Sequence, residues 1–213
     1  MILLIDKPKG WTSFDVVAKV RGILHEKKVG HGGTLDPNAT GLLIIGTGVD
    51  TKKLGEITKN QNKTYEAEII LGENRTTDDV EGETMEKFDN KPTQEEIVKV
   101  LKEFEGVQTQ IPPQFSAIKI KGKKSYDQAR KGIEVKFEPR KVHVYKIELV
   151  SYDYPVLKIV CDVSSGTYIR SLARDIGNKL QTGAYLNELR RTKVGEYLVE
   201  KAVSLSELHQ EQQ

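Results

Sequence analysis

The amino-acid sequence predicts an α+β fold, in which a mixed but mainly antiparallel central sheet is flanked by helices. Segments of alternating apolar and polar residues are joined by short turns, which indicates neighbouring antiparallel strands. Amphipathic helical segments occur singly, without the regular strand–helix alternation of a parallel sheet. The chain has 213 residues, of which 37% are hydrophobic, so it is long enough to bury a substantial core.

The first elements surround a glycine-rich loop. "MILLI" predicts a strand, and "WTSFDVVAKVRGILH" predicts a helix that either Thr12 or Ser13 caps. The apolar face of this helix is expected to contain Val16, Val20, Ile23 and Leu24. After the loop "KVGHGGTLDPNAT", the run "LLII" predicts a short buried strand and "DTKKLGEI" a single short helix.

The central elements include the clearest helix. "KTYEAEIILG" alternates and predicts a strand, whereas the acidic, polar "ENRTTDDVEGET" predicts a mobile loop. "TQEEIVKVLKEFEG" predicts a helix, because Thr93 and Glu96 have the spacing of a capping box. We expect Gly106 to end this helix.

The remaining elements alternate between strands and one helix. "IPPQFSAIKIKGKKSYDQARKGIEV" predicts a loop, a short strand, a Lys-Gly turn and a short helix. "KVHVYKIELVSYDYPVLKIVCDV" predicts a hairpin with an Asp-Tyr-Pro turn, and "SSGTYIRSLARDIGNKL" predicts a turn followed by a helix. "AYLNELRRTKVGEYLV" predicts either a strand pair or one long strand.

The charged residues are segregated, although the net charge is only +2. Residues 116–141 contain nine Lys or Arg and three Asp or Glu, whereas residues 73–96 contain three basic and nine acidic residues. A basic segment of this kind is expected of a protein that binds a phosphate backbone, and equally of a solvated helix face.

Several classes of function are disfavoured by the sequence. Cys161 is the single cysteine and lies in an apolar strand, so we expect a core position in a cytosolic protein. The apolar runs are too short for a signal peptide or a membrane span. The glycine loop lacks the Lys-Ser or Lys-Thr of a phosphate-binding loop, and the four histidines lack metal-ligand spacing, so we expect no metal.

Asp36 is the strongest candidate for chemistry. It precedes Pro37, which keeps it out of the helical region, and it lies between glycines and a buried strand. Its ordinary role would be that of a turn aspartate, but a rigidly held carboxylate beside open space can also act as a nucleophile.

Three other side chains could complete a binding site. Arg170 lies next to a Ser-Gly turn, one helical turn from Arg174, and it could face solvent or stabilise an ionised carboxylate. Tyr65 and Tyr168 lie near predicted strand ends, where they could pack in the core or stack on a flipped base. The residues therefore favour an RNA-binding enzyme with a carboxylate at its centre, without specifying the reaction.

Six blocks of the sequence, in order, resemble the TruB family of tRNA pseudouridine-55 synthases of the bacterial type. They extend over almost the whole chain: "LIDKPKGWTSFDVV", "KVGHGGTLDPNATGLLIIGTG", "KTYEAEIILG", "IPPQFSAIKIKGKKSYDQARKGI", "SSGTYIRSLARDIG" and "ELRRTKVG".

The resemblance implies a pseudouridine synthase fold and the isomerisation of uridine at position 55 in the T-loop of tRNA. In this family the base is flipped out, its glycosidic bond is broken and it is rejoined through C5, without metal or cofactor. Asp36 aligns with the family's nucleophile, Tyr65 with its stacking tyrosine, and Arg170 with the arginine that pairs with the nucleophilic carboxylate. Michael addition, acylal and glycal routes remain open.

The resemblance also implies the substrate-binding residues. His31 aligns with a histidine that helps to displace stacked bases, Tyr168 with a tyrosine beside the target base, and Leu189 with an apolar pocket wall. Residues 113–141 match the family's thumb insertion, which clamps the T-arm stem-loop. The expected RNA-backbone contacts are Lys119, Lys121, Lys123, Lys124 and Arg130.

Two features depart from the family pattern. Many relatives have T-D-T-x-D in the acidic loop, whereas this chain has Thr76 in place of the first Asp and keeps Asp79. We expect a catalytic domain over residues 1–213 without the PUA domain that relatives commonly carry, in a cytoplasmic monomer.

The alternatives are a non-catalytic RNA-binding module of the same fold, and a synthase that acts on other RNAs, including small-RNA-guided relatives.

Overall fold

The structure is a computed structural model that describes residues 1–114, 119–120, 123–124 and 137–210, with the backbone alone at 119–120 and 123–124. The chain forms two compact units. The first unit contains Met1–Glu66 and the chain from Glu188 onward, and the second contains Ala67–Asn187.

The first unit combines short helices with strands that are arranged around β3 and β12. Its strands are β1 (Ile2–Lys7), β2 (Val29–Gly32), β3 (Thr40–Thr47), the start of β4 (Lys63–Leu71), the end of β12 (Ala184–Val194) and β13 (Tyr197–Leu198). Its helices are α1 (Ser13–Leu24), α2 (Leu54–Thr58) and α5 (Leu205–Gln210), with 3₁₀ turns at Gly48–Lys53 and Val199–Lys201. β1 and β2 pair antiparallel with β3, and β12 pairs parallel with it.

β3 is buried along nearly its whole length because apolar side chains cover both of its faces. Leu43 and Ile45 belong to a cluster with Val16 and Val20 of α1. On the other face, Leu42 and Ile44 pack with the side chains of Leu54, Val194 and Val199.

Thr12 caps α1 and thereby settles the choice that the sequence leaves open. The Asp15 amide donates to Thr12 Oγ1 over 3.0 Å, and the Thr12 amide donates to Asp15 Oδ2 over 2.8 Å, which completes a capping box. Ser13 is buried instead, where its hydroxyl contacts Leu35.

Among its described residues, the second unit combines mainly antiparallel strands with two helices. Its strands are the rest of β4, β5 (Glu73–Arg75), β6 (Thr84–Lys87), β7 (Gly106–Gln110), β8 (Lys119–Ile120), β9 (Lys123–Lys124), β10 (Arg140–Asp153), β11 (Val156–Val163) and the start of β12. Its helices are α3 (Gln94–Glu103) and α4 (Ile169–Lys179). β10 pairs antiparallel with β7 and β11, and β11 neighbours β4.

These elements confirm the α+β prediction. The capping box of Thr93 and Glu96 forms as expected, and Cys161 is fully buried, which raises the pKa of its thiol to about 12. The hairpin of β10 and β11, the helix α4 and the pair β12–β13 also follow the sequence. The short strand predicted before the Lys-Gly turn is β8, and it pairs with a second strand, β9, that was not predicted. The Lys-Gly turn and the rest of the segment in which a short helix was predicted lie outside the described residues.

Four local predictions were wrong or incomplete. The acidic loop contains two paired strands, β5 and β6, and part of the glycine loop forms β2. Gly106 does not end α3, whose C-cap is Phe104, but begins β7. The single helix expected after β3 is a 3₁₀ turn followed by α2. β5, β6 and β7 are short or largely exposed, so they lack the long buried alternation that identifies a strand in sequence.

Candidate active site

Asp36 occupies a turn between β2 and β3. The Ala39 amide donates to Asp36 O over 3.0 Å, and Pro37 fills the second position of this turn, which its fixed φ favours. The side chain of Asp36 is exposed, whereas Leu35 and Ala39 on either side are only 4% and 3% exposed. The fold therefore anchors both flanks of the turn in the core, while Asp36 itself is exposed.

Ser13 fixes one flank of the Asp36 turn. Its hydroxyl accepts a hydrogen bond from the Leu35 amide over 2.9 Å and donates to Leu35 O over 3.1 Å. The Gly10 amide donates to Pro37 O over 2.9 Å on the other flank. A short segment at the N-terminus of α1 thus holds the turn that carries Asp36.

We expect Ser13→Ala to lower the free energy of unfolding by about 1–3 kcal/mol, because it leaves a buried amide and a buried carbonyl without their partner. Urea unfolding of the variant and the wild type measures this difference. Ser206→Ala is the matched control, because Ser206 is exposed and should be neutral. An equal effect of the two substitutions would mean that the Ser13 contact does not stabilise the turn.

Lys7 reaches the same turn through a fully buried side chain. Its ammonium donates to Trp11 O over 2.6 Å, to Pro8 O over 2.9 Å and to Pro37 O over 3.1 Å. Burial lowers the pKa of Lys7 to about 8, and the negative charge of Asp36 opposes part of this change. One cation therefore joins two backbone segments and interacts with the charge of the candidate nucleophile.

Arg191 supports the glycine loop from β12. Its side chain is 1% exposed, and it donates from Nε to Leu42 O over 2.9 Å and from Nη2 to Gly33 O over 3.0 Å. A Cβ at Gly41, where φ is +97°, would lie 2.3 Å from Arg191 O. Gly41 is thus required for the close approach of two strands.

The other predicted residues of the first unit differ in exposure. Tyr65, on β4, is 7% exposed, whereas His31 on β2 and Leu189 on β12 are half-buried. Burial lowers the pKa of His31, and the charge of Arg191 adds to the effect. Within the part of the chain that the structure describes, His31 Nδ1 is buried and has no hydrogen-bond partner. His31 is the penultimate residue of β2, the strand that leads into the Asp36 turn, and its neutral form is favoured.

Lys63 gives the first unit a measurable pH dependence. Burial, and secondarily the charge of Arg191, lowers its pKa from 10.5 to about 8. Over that interval the unfolded chain binds more protons than the folded chain, so we expect the free energy of unfolding to rise from about pH 7 to pH 9. Urea unfolding at both pH values tests this. Lys63→Met should reduce the slope by about half, because the pKa of Lys7 is also lowered to about 8 and Lys7 keeps its contribution. An unchanged slope would contradict the assignment.

Tyr168 and Arg170 belong to the second unit, at the start of α4. Tyr168 is half-buried, whereas Arg170 is 6% exposed. The guanidinium of Arg170 lies 3.5 Å from the carboxylate of Asp79, between Nη1 and Oδ2. The contact joins α4 to the turn of the β5–β6 hairpin. The pairing of Arg170 with Asp36 that the family resemblance implies stays a prediction.

The acidic segment, residues 73–96, also forms an ion pair with Arg174, the second arginine of α4. Arg174 Nη1 lies 2.8 Å from Asp78 Oδ2, and its Nη2 lies 2.9 Å from Asp175 Oδ1. Burial raises the pKa of Asp78, whereas the charges of Arg174 and Arg170 oppose that change. These ion pairs were not predicted from the sequence, although two adjacent acids and two arginines one helical turn apart were the available signal.

Thr76, which departs from the family pattern, closes the same hairpin. Its amide donates to Glu83 O over 3.0 Å, and its hydroxyl accepts from the Glu83 amide over 3.1 Å. Thr76 therefore has a local structural role in this chain.

The predicted RNA-backbone residues are described only in part. Lys119, Lys123 and Lys124 lie on the paired strands β8 and β9, whereas Lys121 and Arg130 lie outside the described residues. Their contacts with RNA stay predictions. In the described ranges no His, Cys, Asp and Glu side chains cluster as a metal site, and no helix is long and apolar enough to cross a bilayer.

The chain is similar to a large set of known proteins. A family model described as TruB family pseudouridylate synthase, N-terminal domain, matches residues 21–169, and one for the tRNA pseudouridylate synthase B C-terminal domain matches residues 170–213. The tRNA pseudouridine synthase B of Clostridium tetani is 45% identical over 99% of this chain and 73% of its own length. That of Dehalococcoides mccartyi is 48% identical over 97% of this chain and 69% of its own length.

Solved structures show the same fold. A chain in a Cbf5–Nop10–Gar1 complex matches 98% of this chain with a TM-score of 0.78 and 32% sequence identity. A chain in an H/ACA ribonucleoprotein bound to a substrate RNA that contains 2′-deoxyuridine matches with a TM-score of 0.75 and 30% identity. This chain spans about half the length of these two, at 53% and 52%.

Proposed function

We propose a specific reaction for this chain on the premise that it belongs to the TruB family of pseudouridylate synthases and is a tRNA pseudouridine synthase, an isomerase. The proposed substrate is the uridine at position 55 in the T-loop, presented on the T-arm stem-loop of tRNA. The observation that carries the proposal is the position of Asp36, an exposed residue on a turn whose two flanks are anchored in the core.

Asp36 is the proposed nucleophile. The target base leaves its stack, which costs a few kcal/mol, and Asp36 then attacks or deprotonates the ribose at or near C1′. After the N1–C1′ bond breaks, the uracil turns in place and its C5 forms the new bond to C1′, which releases Asp36 if it is bonded there. The C5 proton is lost to water and N1 gains a proton from water, so that the product is an isomer of the substrate. A preorganised turn favours this chemistry, because little reorganisation is needed when charge moves on the carboxylate.

The other residues support the base and the RNA. Tyr65 is proposed to stack on the uracil, Leu189 to form an apolar wall, and Tyr168 to lie beside the base. His31, whose neutral imidazole has an unpartnered buried Nδ1 among the described residues, is proposed to displace stacked bases of the loop. Arg170 is proposed to favour the ionised form of the nucleophile.

We further propose that residues 113–141 act as the RNA-clamping thumb, with Lys and Arg side chains that neutralise phosphates. A single catalytic domain, a cytoplasmic location, a monomeric state and a reaction without metal or cofactor belong to the same proposal. A guided synthase is the second candidate, because the solved structures include ribonucleoproteins. Identities of 45–48% with tRNA enzymes, against 30–32% with those structures, favour the tRNA substrate.

Release of tritium from an unmodified T-arm stem-loop labelled at uridine C5 tests the proposal, with a chelator present. We expect release by the wild type, and a product map that places pseudouridine at the predicted uridine. Release from full tRNA alone would show dependence on contacts beyond the T-arm. Binding without release from either RNA would favour the non-catalytic module.

A further inference from the structure

Gln110 makes an unusual pair of contacts for a side chain outside the proposed site. It is the last residue of β7, directly before the predicted thumb, and it is 4% exposed. Its Nε2 donates to Tyr168 O over 3.0 Å, and its Oε1 accepts from the Tyr168 amide over 2.9 Å. Both ends of one carboxamide are thus bonded to the backbone of one residue, 58 positions later.

The neighbouring residue is held to the same helix. The hydroxyl of Ser171 donates to Ile111 O over 2.9 Å, and Arg174 Nη2 donates to the same oxygen over 3.1 Å. Two consecutive residues at the end of β7 are therefore fixed to the first turns of α4. Arg170 lies within this stretch, two residues after the backbone that Gln110 holds.

We propose that Gln110 is a positioning residue for the isomerisation, which it serves by fixing the backbone from which Tyr168 and Arg170 project. The inference rests on the proposed function, because it concerns two residues of the proposed site. A residue that supports a reacting group can matter as much as a contact to substrate, since a displacement of about 1 Å costs about 100-fold in rate. The same contacts fix the root of the predicted thumb to the start of α4.

The other explanation is that Gln110 only satisfies buried backbone groups and so stabilises the fold. Gln108 offers a matched control for that explanation. It lies two residues earlier on the same strand, and its Nε2 donates to Phe104 O over 3.0 Å and to Glu103 O over 3.3 Å. Those bonds fix the end of α3, which carries no residue of the proposed site.

The experiment compares Gln110→Ala, Gln110→Glu and Gln108→Ala with the wild type. Three quantities are measured: the single-turnover rate of tritium release with enzyme in excess, the Kd for the T-arm RNA, and the thermal midpoint. We expect Gln110→Ala to lose about 10- to 100-fold in rate with an RNA affinity within about threefold of the wild type, and Gln108→Ala to keep its rate within about threefold. The rate of Gln110→Glu should lie between those of the wild type and Gln110→Ala, because a glutamate oxygen can still accept a hydrogen bond from the Tyr168 amide.

Equal rates for Gln110→Ala and Gln108→Ala would overturn the inference. It would also be overturned if the rate of Gln110→Ala equalled that of the wild type at temperatures well below the thermal midpoint of the variant, because the loss would then reflect unfolding. If Gln110→Ala does not fold, Gln110→Glu is judged against Gln108→Ala by the same criterion. If the proposed function is wrong, the wild type itself releases no tritium. That result would also overturn the inference, because the inference rests on the proposed function. With an active wild type, the comparison of the two glutamines decides the inference alone.

Discussion

Asp36→Asn should abolish tritium release while the protein stays folded and binds the T-arm RNA. Asparagine has nearly the same size and is favoured in turns, so the bond from the Ala39 amide and the buried flanks at Leu35 and Ala39 should persist. The neutral amide can neither attack the ribose nor remove a proton from it. Activity should therefore be lost without a matching loss of affinity or stability.

The matched control is Asp50→Asn, which removes a carboxylate of the same unit that pairs with Lys53 and the N-terminus. It should keep full activity, with at most a small loss of stability, because surface ion pairs contribute about 0–1 kcal/mol. Intact mass should verify that the Asp36→Asn substitution persists. Measurable turnover by the verified variant would remove Asp36 as the nucleophile and return it to the role of a turn residue.

Tyr65→Ala should reduce the single-turnover rate far more than the RNA affinity. Stacking of a base on an aromatic side chain contributes about 1–3 kcal/mol, so we expect a rate loss of about 10- to 100-fold or more when the detached uracil is no longer held. Because Tyr65 is 7% exposed, the truncation should also lower stability, by about 3–5 kcal/mol if it behaves as other buried aromatic residues do.

Tyr65→Phe separates these effects, because it keeps the ring and its packing. We expect it to retain most of the rate and the stability of the wild type. Assays of all variants well below their thermal midpoints exclude loss of folded protein. Equal losses of rate and affinity in Tyr65→Ala would instead make Tyr65 a simple binding contact.

Secondary structure was predicted correctly where the signal lies within one short segment of the sequence. The capping box of Thr93 and Glu96 depends on residues three positions apart, and the alternation in β4, β10 and β11 reflects one buried face along a single segment. β5 and β6 pair through their backbones, and every residue of β6 is exposed. Such strands leave no hydrophobic pattern, so the sequence could not distinguish them from a loop.

At the candidate site, too, local sequence signals were informative, whereas contacts made through the backbone could not be predicted. The Asp-Pro step and the following buried strand made Asp36 a candidate, because both signals lie next to it in sequence. The supports of its turn, Ser13, Lys7 and Arg191, act on backbone carbonyls or amides. Every residue offers those groups, so no pattern of residue types could reveal these contacts.

The buried ammonium of Lys7 also provides a chemical probe of this enzyme. An acylating reagent needs an accessible, unprotonated amine, and all three bonds of this amine are directed at carbonyls inside the fold. Acetylation of Lys7 must therefore wait for a local opening that breaks its bond to Pro37. Lys9, whose side chain is 53% exposed, reports the reactivity of an accessible amine two residues away. The ratio of the two labelling rates, determined by mass spectrometry, reports how often the turn of Asp36 opens in the protein without bound RNA.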